Sequence, residues 1–430
     1  VPLNVFAERT EADVASAGWT GHASAASGAS IDDVQAVLDL LAAAERPVIV
    51  AGSGVDGAEA SQQLIDFARL AKVPVATSPL GKSAIDGRDP LTLGPTGRNG
   101  TYQANRATRN ADLVIGLGTR FDDRATSSWL RGYTYSFPET KLVHVHVDPA
   151  EIGRNFPVTI GIAASPREVL SQLTAGLAAR RAAGNDGEPP SRDAWLGRID
   201  GWRRQWNDHI APNRQSDATP IRPERLVAEL RRTLPDDGIL ISDVGVHHNW
   251  IVQEWESRNP RSVLQSWGYA SMGFGVAGVI GARLAAPHRP AVAVVGDGGF
   301  LMLPSVVATA VQYAIPAVWV IWNNGGFISI RDQQRAYFGK DRELATSFTV
   351  AATKQPYRAD FVALARSMGG DGVRVEDASD LGSAMETALS SGRPFVIDAV
   401  VDDAISPPAT ASWELPPLPA PEPSFGWPDR

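Results

Sequence analysis

The sequence predicts an α/β protein made of two doubly wound parallel-sheet domains with a Pro-rich C-terminal tail. Three observations carry this. The apolar runs are continuous stretches of Val, Ile, Leu and Ala, as in strands covered on both faces. Each run ends in glycine or a small polar turn and is followed by an amphipathic segment. One charged stretch with glycine and paired proline, Arg180 to Arg192, divides the pattern in two. At 430 residues the chain has room for two or three cores.

Residues 1–29 read as an N-terminal linker and residues 30–179 as the first domain. There Pro47 to Ala51 forms a buried strand, the Gly52-Ser53-Gly54 turn follows, and Ala58 to Leu70 has helical spacing. Val73 to Ala76, Ala111 to Gly118 and Lys141 to Asp148 supply further strands. Residues 180–220 read as a linker with a polar turn at Asn213 to Pro220, and residues 221–405 as the second domain. Its strands are Gly238 to Ser242, Ala291 to Val295, Ala317 to Trp322 and Pro394 to Val400. Residues 406–430, rich in proline and tryptophan, form the tail.

Composition removes several function classes. The net charge of −8 and the lack of a basic patch argue against a nucleic-acid surface. With no cysteine there is no disulfide, thiolate zinc site, cysteine nucleophile or iron–sulfur cluster. No run of 18 or more uncharged apolar residues occurs; the nearest approach, Trp267 to Ala282, is short and glycine-rich, which argues against a membrane span. No signal peptide opens the sequence, and its first residue is Val1, so the natural start can lie upstream. A soluble cytoplasmic enzyme is the expectation.

The chemistry concentrates between Ala291 and Phe327. One buried strand delivers Gly296-Asp297-Gly298-Gly299, and an amphipathic helix with Leu303, Val306, Val307, Ala310 and Val311 on one face follows. Pro316 resets the chain, and a second buried strand delivers Asn323-Asn324-Gly325-Gly326. This is a β-α-β unit with both strand ends on the ligand-binding edge of a parallel sheet. Mg²⁺ takes one or two protein oxygens, water and phosphate oxygens. Asp297 offers a carboxylate and Asn324 an amide oxygen, while Gly298 and Gly299 let backbone amides approach phosphate. A helix-capping Asp297 and a turn-forming Asn324 are the plain alternative. Two matched strand ends at this spacing favour a magnesium–diphosphate site. His144 and His146 share a strand face but lack an evident third ligand, and Gly52-Ser53-Gly54 alone is a weak dinucleotide signal.

Gly296-Asp297-Gly298 followed by Asn323-Asn324 resembles the thiamine-diphosphate signature. Over nearly the whole chain the resemblance is to acetolactate synthase catalytic (large) subunits. RPVIVAGSG (46–54), GTRFDDR (118–124) and HVDPAEIGRN (146–155) are similar to that family's middle, FAD/nucleotide-binding-like domain. SDVGVHHNW (242–250) and WGYASMGFGVAGVIG (267–281) are similar to its thiamine-diphosphate-binding domain. The resemblance implies Mg²⁺ held by Asp297, Asn324 and the Gly326 carbonyl. It implies diphosphate contacts from Gly245, Val246 and His247, and from Gly296, Gly298, Gly299 and Phe327. Met272 would prop the bent thiamine, with the Ala270 carbonyl and the Met272 amide on the aminopyrimidine. The implied activity is decarboxylation of a 2-oxo acid and transfer of the remaining fragment to a carbonyl acceptor, with the electron sink supplied by the cofactor.

Three features depart from that family. Val1 to Phe6 is similar to the strand leaving the family's first, pyrimidine-binding domain, which carries the activating glutamate. A separate subunit or a missing segment would then supply that domain, in a homo- or hetero-oligomer, and the 430-residue chain alone would be inactive. Ser329 and Gln333 stand where the family has methionine and tryptophan, which leans toward glyoxylate carboligase and a more polar substrate. Gly97-Arg98-Asn99-Gly100 replaces the usual flavin loop, and His146 and Ile162 replace acidic residues. FAD, another adenine nucleotide or no ligand remain open for Gly52, Gly54, Gly97, Gly100, Gly118, Arg120, Asp122 and Arg124. A simple 2-oxo acid decarboxylase, an acyl transferase and a non-catalytic nucleotide-binding paralogue are the other readings.

Overall fold

The computed structural model describes residues 27–184, 191–408 and 410. The expectations for Val1 to Phe6, for most of the N-terminal linker and for nearly all of the Pro-rich tail lie outside the described residues. The first sheet contains β1 (Pro47–Ala51), β2 (Val75–Thr77), β3 (Thr92–Pro95), β4 (Leu113–Leu117), β5 (Lys141–His146) and β6 (Ile160–Ala163). All pairings are parallel, in the order β3-β2-β1-β4-β5-β6. Along β1, Ile49 and Ala51 pack with the helices Ile31–Ala43, Ser61–Ala71 and Pro166–Ala182. Val48 and Val50 point to the opposite face.

That opposite face corrects the linker expectation. Residues 180–220 contain a 22-residue helix, α1 (Asp193–Arg214), that belongs to the first domain's core. Its Trp195, Ile199, Trp202, Trp206 and Ile210 recur every three or four residues and bury one stripe against β1 and β4. Arginine, glycine and proline on the other faces hide this stripe from a composition-based reading.

The second sheet holds β7 (Ile239–Ser242), β8 (Val263–Gln265), β9 (Ala291–Gly296), β10 (Val318–Asn323), β11 (Asp371–Val375) and β12 (Phe395–Val400). It is also all parallel, in the order β11-β12-β10-β9-β7-β8. Val292 and Val294 of β9 face one core, and Ala291, Ala293 and Val295 face the other. Two covered faces explain why these strands read as unbroken apolar runs. The helix expected after Gly299 is two short ones, Asp297–Met302 and Val306–Gln312, because Pro304 lies between them. Val307 and Ala310 are buried as expected, whereas Leu303 sits in the break and is exposed.

The two domains lock through backbone groups. Lys82 Nζ donates to the Val252 carbonyl at 2.7 Å, the Gly87 amide to that of Ser257 at 2.6 Å, and Gln265 Nε2 to that of Pro79 at 3.0 Å. No helix among the described residues is long and apolar enough to cross a membrane.

Candidate active site

Three loops converge where β7, β9 and β10 end, beside the point where strand order reverses between β7 and β9. The first turns from β7 through Asp243 and Gly245 into α2 (Val246–Glu254). A second carries Ala270 and Met272 into α3 (Phe274–Ala285). From β9 the chain passes directly into α4 (Asp297–Met302), and from β10 through Asn324 to Phe327 into α5 (Ile328–Phe338).

Asp297 ties two of these loops together. Its Oδ1 accepts the Gly298 amide at 2.7 Å, and its Oδ2 accepts the Gly325 and Gly326 amides at 2.7 and 3.1 Å. The side chain is 2% exposed. Burial pushes its carboxyl up to about 6, against the pull of those amides and of Arg358. Gly298 is required here for close approach, since a Cβ would overlap the Phe327 ring.

The adjoining cavity of about 290 Å³ gathers the residues named from the sequence. Asp297, Asn324 and Gly326 line it, as do Gly245, Val246 and His247. Gly296, Gly298, Gly299 and Phe327 line it too, with Ala270, Met272, Ser329 and Gln333. Ser329 and Gln333 sit one turn apart on α5, with Gln333 Nε2 donating to the Ser329 carbonyl at 3.2 Å. Burial lowers the His247 ring to about 4, so it is neutral, and its Nε2 has no partner in the protein. An orphaned ring nitrogen facing a pocket suits a polar ligand. No cluster of three His, Cys, Asp or Glu occurs among the described residues. One carboxylate, one amide and a carbonyl make an incomplete cage of the kind Mg²⁺ shares with a diphosphate.

Sequence reasoning missed four contributors. Asp243, fully buried, accepts the Gly273 amide on both oxygens at 3.0 and 3.1 Å and the Gly275 amide at 3.4 Å, fixing the start of α3 beside Met272. His248, whose ring burial lowers to about 3, bonds Gln265 Oε1 through Nε2 at 2.7 Å and meets the Trp267 ring edge-on at 4.2 Å. Arg124, assigned from the sequence to a nucleotide, comes from the first domain and stacks over Trp267 at 5.0 Å. Both Arg124 and Trp267 line the cavity. A polar residue closing a buried strand was the available signal for Asp243; the others depend on contacts far apart in sequence.

The remaining nucleotide candidates divide. Arg120, Asp122 and Arg124 line a separate cavity of about 500 Å³ with Glu151 and Arg154. Gly52 and Gly54 lie instead against the backbone of Gly118, where any Cβ would collide. Arg98 of the Gly97–Gly100 turn donates its amide to the Arg124 carbonyl at 3.0 Å and pairs with Asp123 at 2.7 Å. Packing alone thus accounts for glycine at 52, 54 and 118. His144 and His146 are also committed locally: His144 Nε2 meets the Thr119 carbonyl at 2.8 Å, and His146 Nδ1 accepts the Asp148 amide at 3.0 Å.

The two all-parallel sheets correspond to two domains of the thiamine diphosphate enzymes, and the chain belongs to this class. Residues 34–173 match the thiamine pyrophosphate enzyme central domain, and residues 243–399 match the C-terminal TPP binding domain. Among curated relatives, the probable acetolactate synthase large subunit of Methanocaldococcus jannaschii is 34% identical over 371 residues, covering 85% of this chain and 59% of that protein. The acetolactate synthase large subunit of Parasynechococcus marenigrum is 34% identical over 369 residues, covering 86% and 56%. The acetolactate synthase of Mycobacterium leprae is 33% identical over 370 residues, covering 86% and 57%. The chain therefore spans under three-fifths of the length of these relatives.

Proposed function

We propose that this chain forms the cofactor-holding part of a thiamine-diphosphate- and Mg²⁺-dependent carboligase that decarboxylates a 2-oxo acid and joins the remaining fragment to a carbonyl acceptor. The observation that carries this reading is the Asp297 carboxylate, bonded to the amides of Gly325 and Gly326 across two strand ends. The similarity to acetolactate synthases supports it.

Asp297, the Asn324 amide and the Gly326 carbonyl would hold Mg²⁺. The Gly245–His247 turn at the start of α2, together with Gly298 and Gly299, would receive the diphosphate, with amide donors at a helix N-terminus. Met272 would prop the cofactor, and the Ala270 carbonyl and Met272 amide would meet its aminopyrimidine. When bound, thiamine diphosphate supplies the nucleophilic carbon and the electron sink for decarboxylation. The protein's own part is position and field. Asp243 fixes the loop beneath Met272, His247 stays neutral beside the diphosphate, and Arg124 offers a cation to a carboxylate-bearing substrate.

No glutamate lines this cavity among the described residues. The elements around it expose large apolar side chains: Tyr269 before α3, Met302 and Leu303 at the end of α4, and Ile330 and Tyr337 on α5. We infer that a second surface, from another subunit or from a further segment, covers this rim and brings the activating glutamate. The pairing of Gln333 with Ser329 favours a glyoxylate carboligase-like preference for a polar substrate over an apolar one.

The test has two arms. Tryptophan fluorescence of the full chain titrated with thiamine diphosphate should quench saturably only with Mg²⁺, and Asp297→Ala should abolish the quench. Magnesium-independent quenching, or none, overturns the site. The complex recovered from its native cells should release CO₂ from glyoxylate or pyruvate; release from neither overturns the activity.

A further inference from the structure

A third cavity, of about 280 Å³, lies between the domains, away from the cofactor pocket. Its walls come from the β2–β3 edge of the first sheet, from α1, and from the C-terminal end of α2 and the loop after it. That volume is near the lower end of the roughly 300–1,000 Å³ of small-molecule sites.

The lining is polar, buried and incompletely satisfied. Lys82 is 7% exposed, and among the described residues its amine bonds only to the Val252 carbonyl. No carboxylate lies within ion-pair distance of it among the described residues. An ammonium has three N–H groups, so two stay unused. The Ser257 hydroxyl and the Trp255 indole N–H, both buried, also lack partners in the protein. Acceptors line the same cavity. Gln103 Nε2 is committed to the Leu93 carbonyl at 2.9 Å, which fixes the amide and leaves Oε1 unpartnered. Gln253 behaves alike, its Nε2 held by the Gly100 and Pro408 carbonyls at 3.1 and 2.9 Å. Glu254 gives Oε2 to Arg214 at 2.7 Å and keeps Oε1 unpartnered.

Buried polar groups are normally paired, and an unpaired one is destabilising. A simple carboxylate would answer Lys82 and strand the acceptors. A neutral polyol would answer the acceptors and leave the ammonium without a counter-charge. We propose that this interdomain cavity binds a small carboxylate carrying a hydroxyl or ammonium donor on the neighbouring carbon, its carboxylate on Lys82 and its donor among Gln103, Gln253 and Glu254. Burial lowers the Lys82 amine to about 7, against the nearby charges of Glu254 and Glu256, and raises the Glu254 carboxyl against its pairing with Arg214.

Isothermal titration of the full chain tests this with L-lactate, L-serine and propionate. Lactate or serine should bind saturably and at least tenfold more tightly than propionate, which lacks the donor. Tighter lactate identifies hydroxy acids as the class, and tighter serine amino acids. Lys82→Met and, separately, Gln103→Leu should each weaken binding tenfold or more while magnesium-dependent thiamine diphosphate binding stays unchanged. If neither probe binds, if propionate binds equally well, or if both variants keep wild-type affinity, the proposal fails and the cavity holds water alone. Because cofactor binding is read in the same samples, failure here is distinguishable from failure of the active-site reading.

Discussion

Acidification should weaken cofactor binding through one side chain. Asp297 is buried, and its carboxyl titrates at about 6 instead of the ordinary 3.8. Magnesium needs the ionised form, so apparent affinity follows the ionised fraction. That fraction is roughly nine-tenths at pH 7 and one-tenth at pH 5, a loss of about tenfold or 1.4 kcal/mol. The sign for folding is opposite to that of a salt-bridged aspartate. Between pH 4 and 6 the folded, cofactor-free chain binds more protons than the unfolded one, so its stability falls as pH rises through that window, by about 3 kcal/mol at most. Metal and diphosphate should recover that loss, so their stabilising effect should be larger at pH 7 than at pH 5. The assay is a fluorescence titration with thiamine diphosphate at fixed excess Mg²⁺ from pH 5 to 7.5. Asp297→Asn serves as the baseline, because its residual binding should vary only with the ligand's own protonation. A wild-type Kd that is flat across this range, or a variant with the same slope as wild type, would refute the reasoning.

Three further outcomes follow from the geometry. Gly298→Ala places a methyl group against the Phe327 ring and should weaken thiamine diphosphate at least about tenfold, read by the same titration; unchanged affinity would mean that the ring moves aside freely. Trp319→Ala removes a fully buried indole and its 2.8 Å bond to the Val276 carbonyl, and should cost about 3–5 kcal/mol in urea unfolding; a loss under about 1 kcal/mol would contradict the packing described. Gln333→Leu makes the pocket wall apolar and should shift the ratio of kcat/KM for pyruvate over glyoxylate upward by roughly 10-fold in the assembled enzyme, whereas an unchanged ratio would remove Gln333 from specificity.

The legible part of this chain was whatever a strand or its end encodes locally. The runs ending at Gly296 and Asn323 announced their central place in a sheet, because burial on two faces leaves a continuous apolar signature. Edge strands β3, β6, β8 and β11 escaped notice: they have three to five residues each, and only β6, of four residues, is an unbroken apolar run. The Asp193–Arg214 helix was hidden because a stripe of three tryptophans and two isoleucines is diluted by the polar residues between them. Arg124 and Trp267 are 143 positions apart, so their stacking depends on how two domains dock, which no local pattern encodes.

That stacking has an architectural consequence. Arg124 belongs to one folding unit yet borders the reaction chamber of the other, and it also borders the neighbouring 500 Å³ recess. The central domain is therefore more than a spacer: a small tilt of it would withdraw a positive charge from the chamber without disturbing the Asp297 and Asn324 loops, which we propose hold the metal. Any attempt to transplant the C-terminal unit onto a foreign scaffold must carry a substitute for this guanidinium, or it will yield a protein that holds the vitamin and handles its substrates poorly.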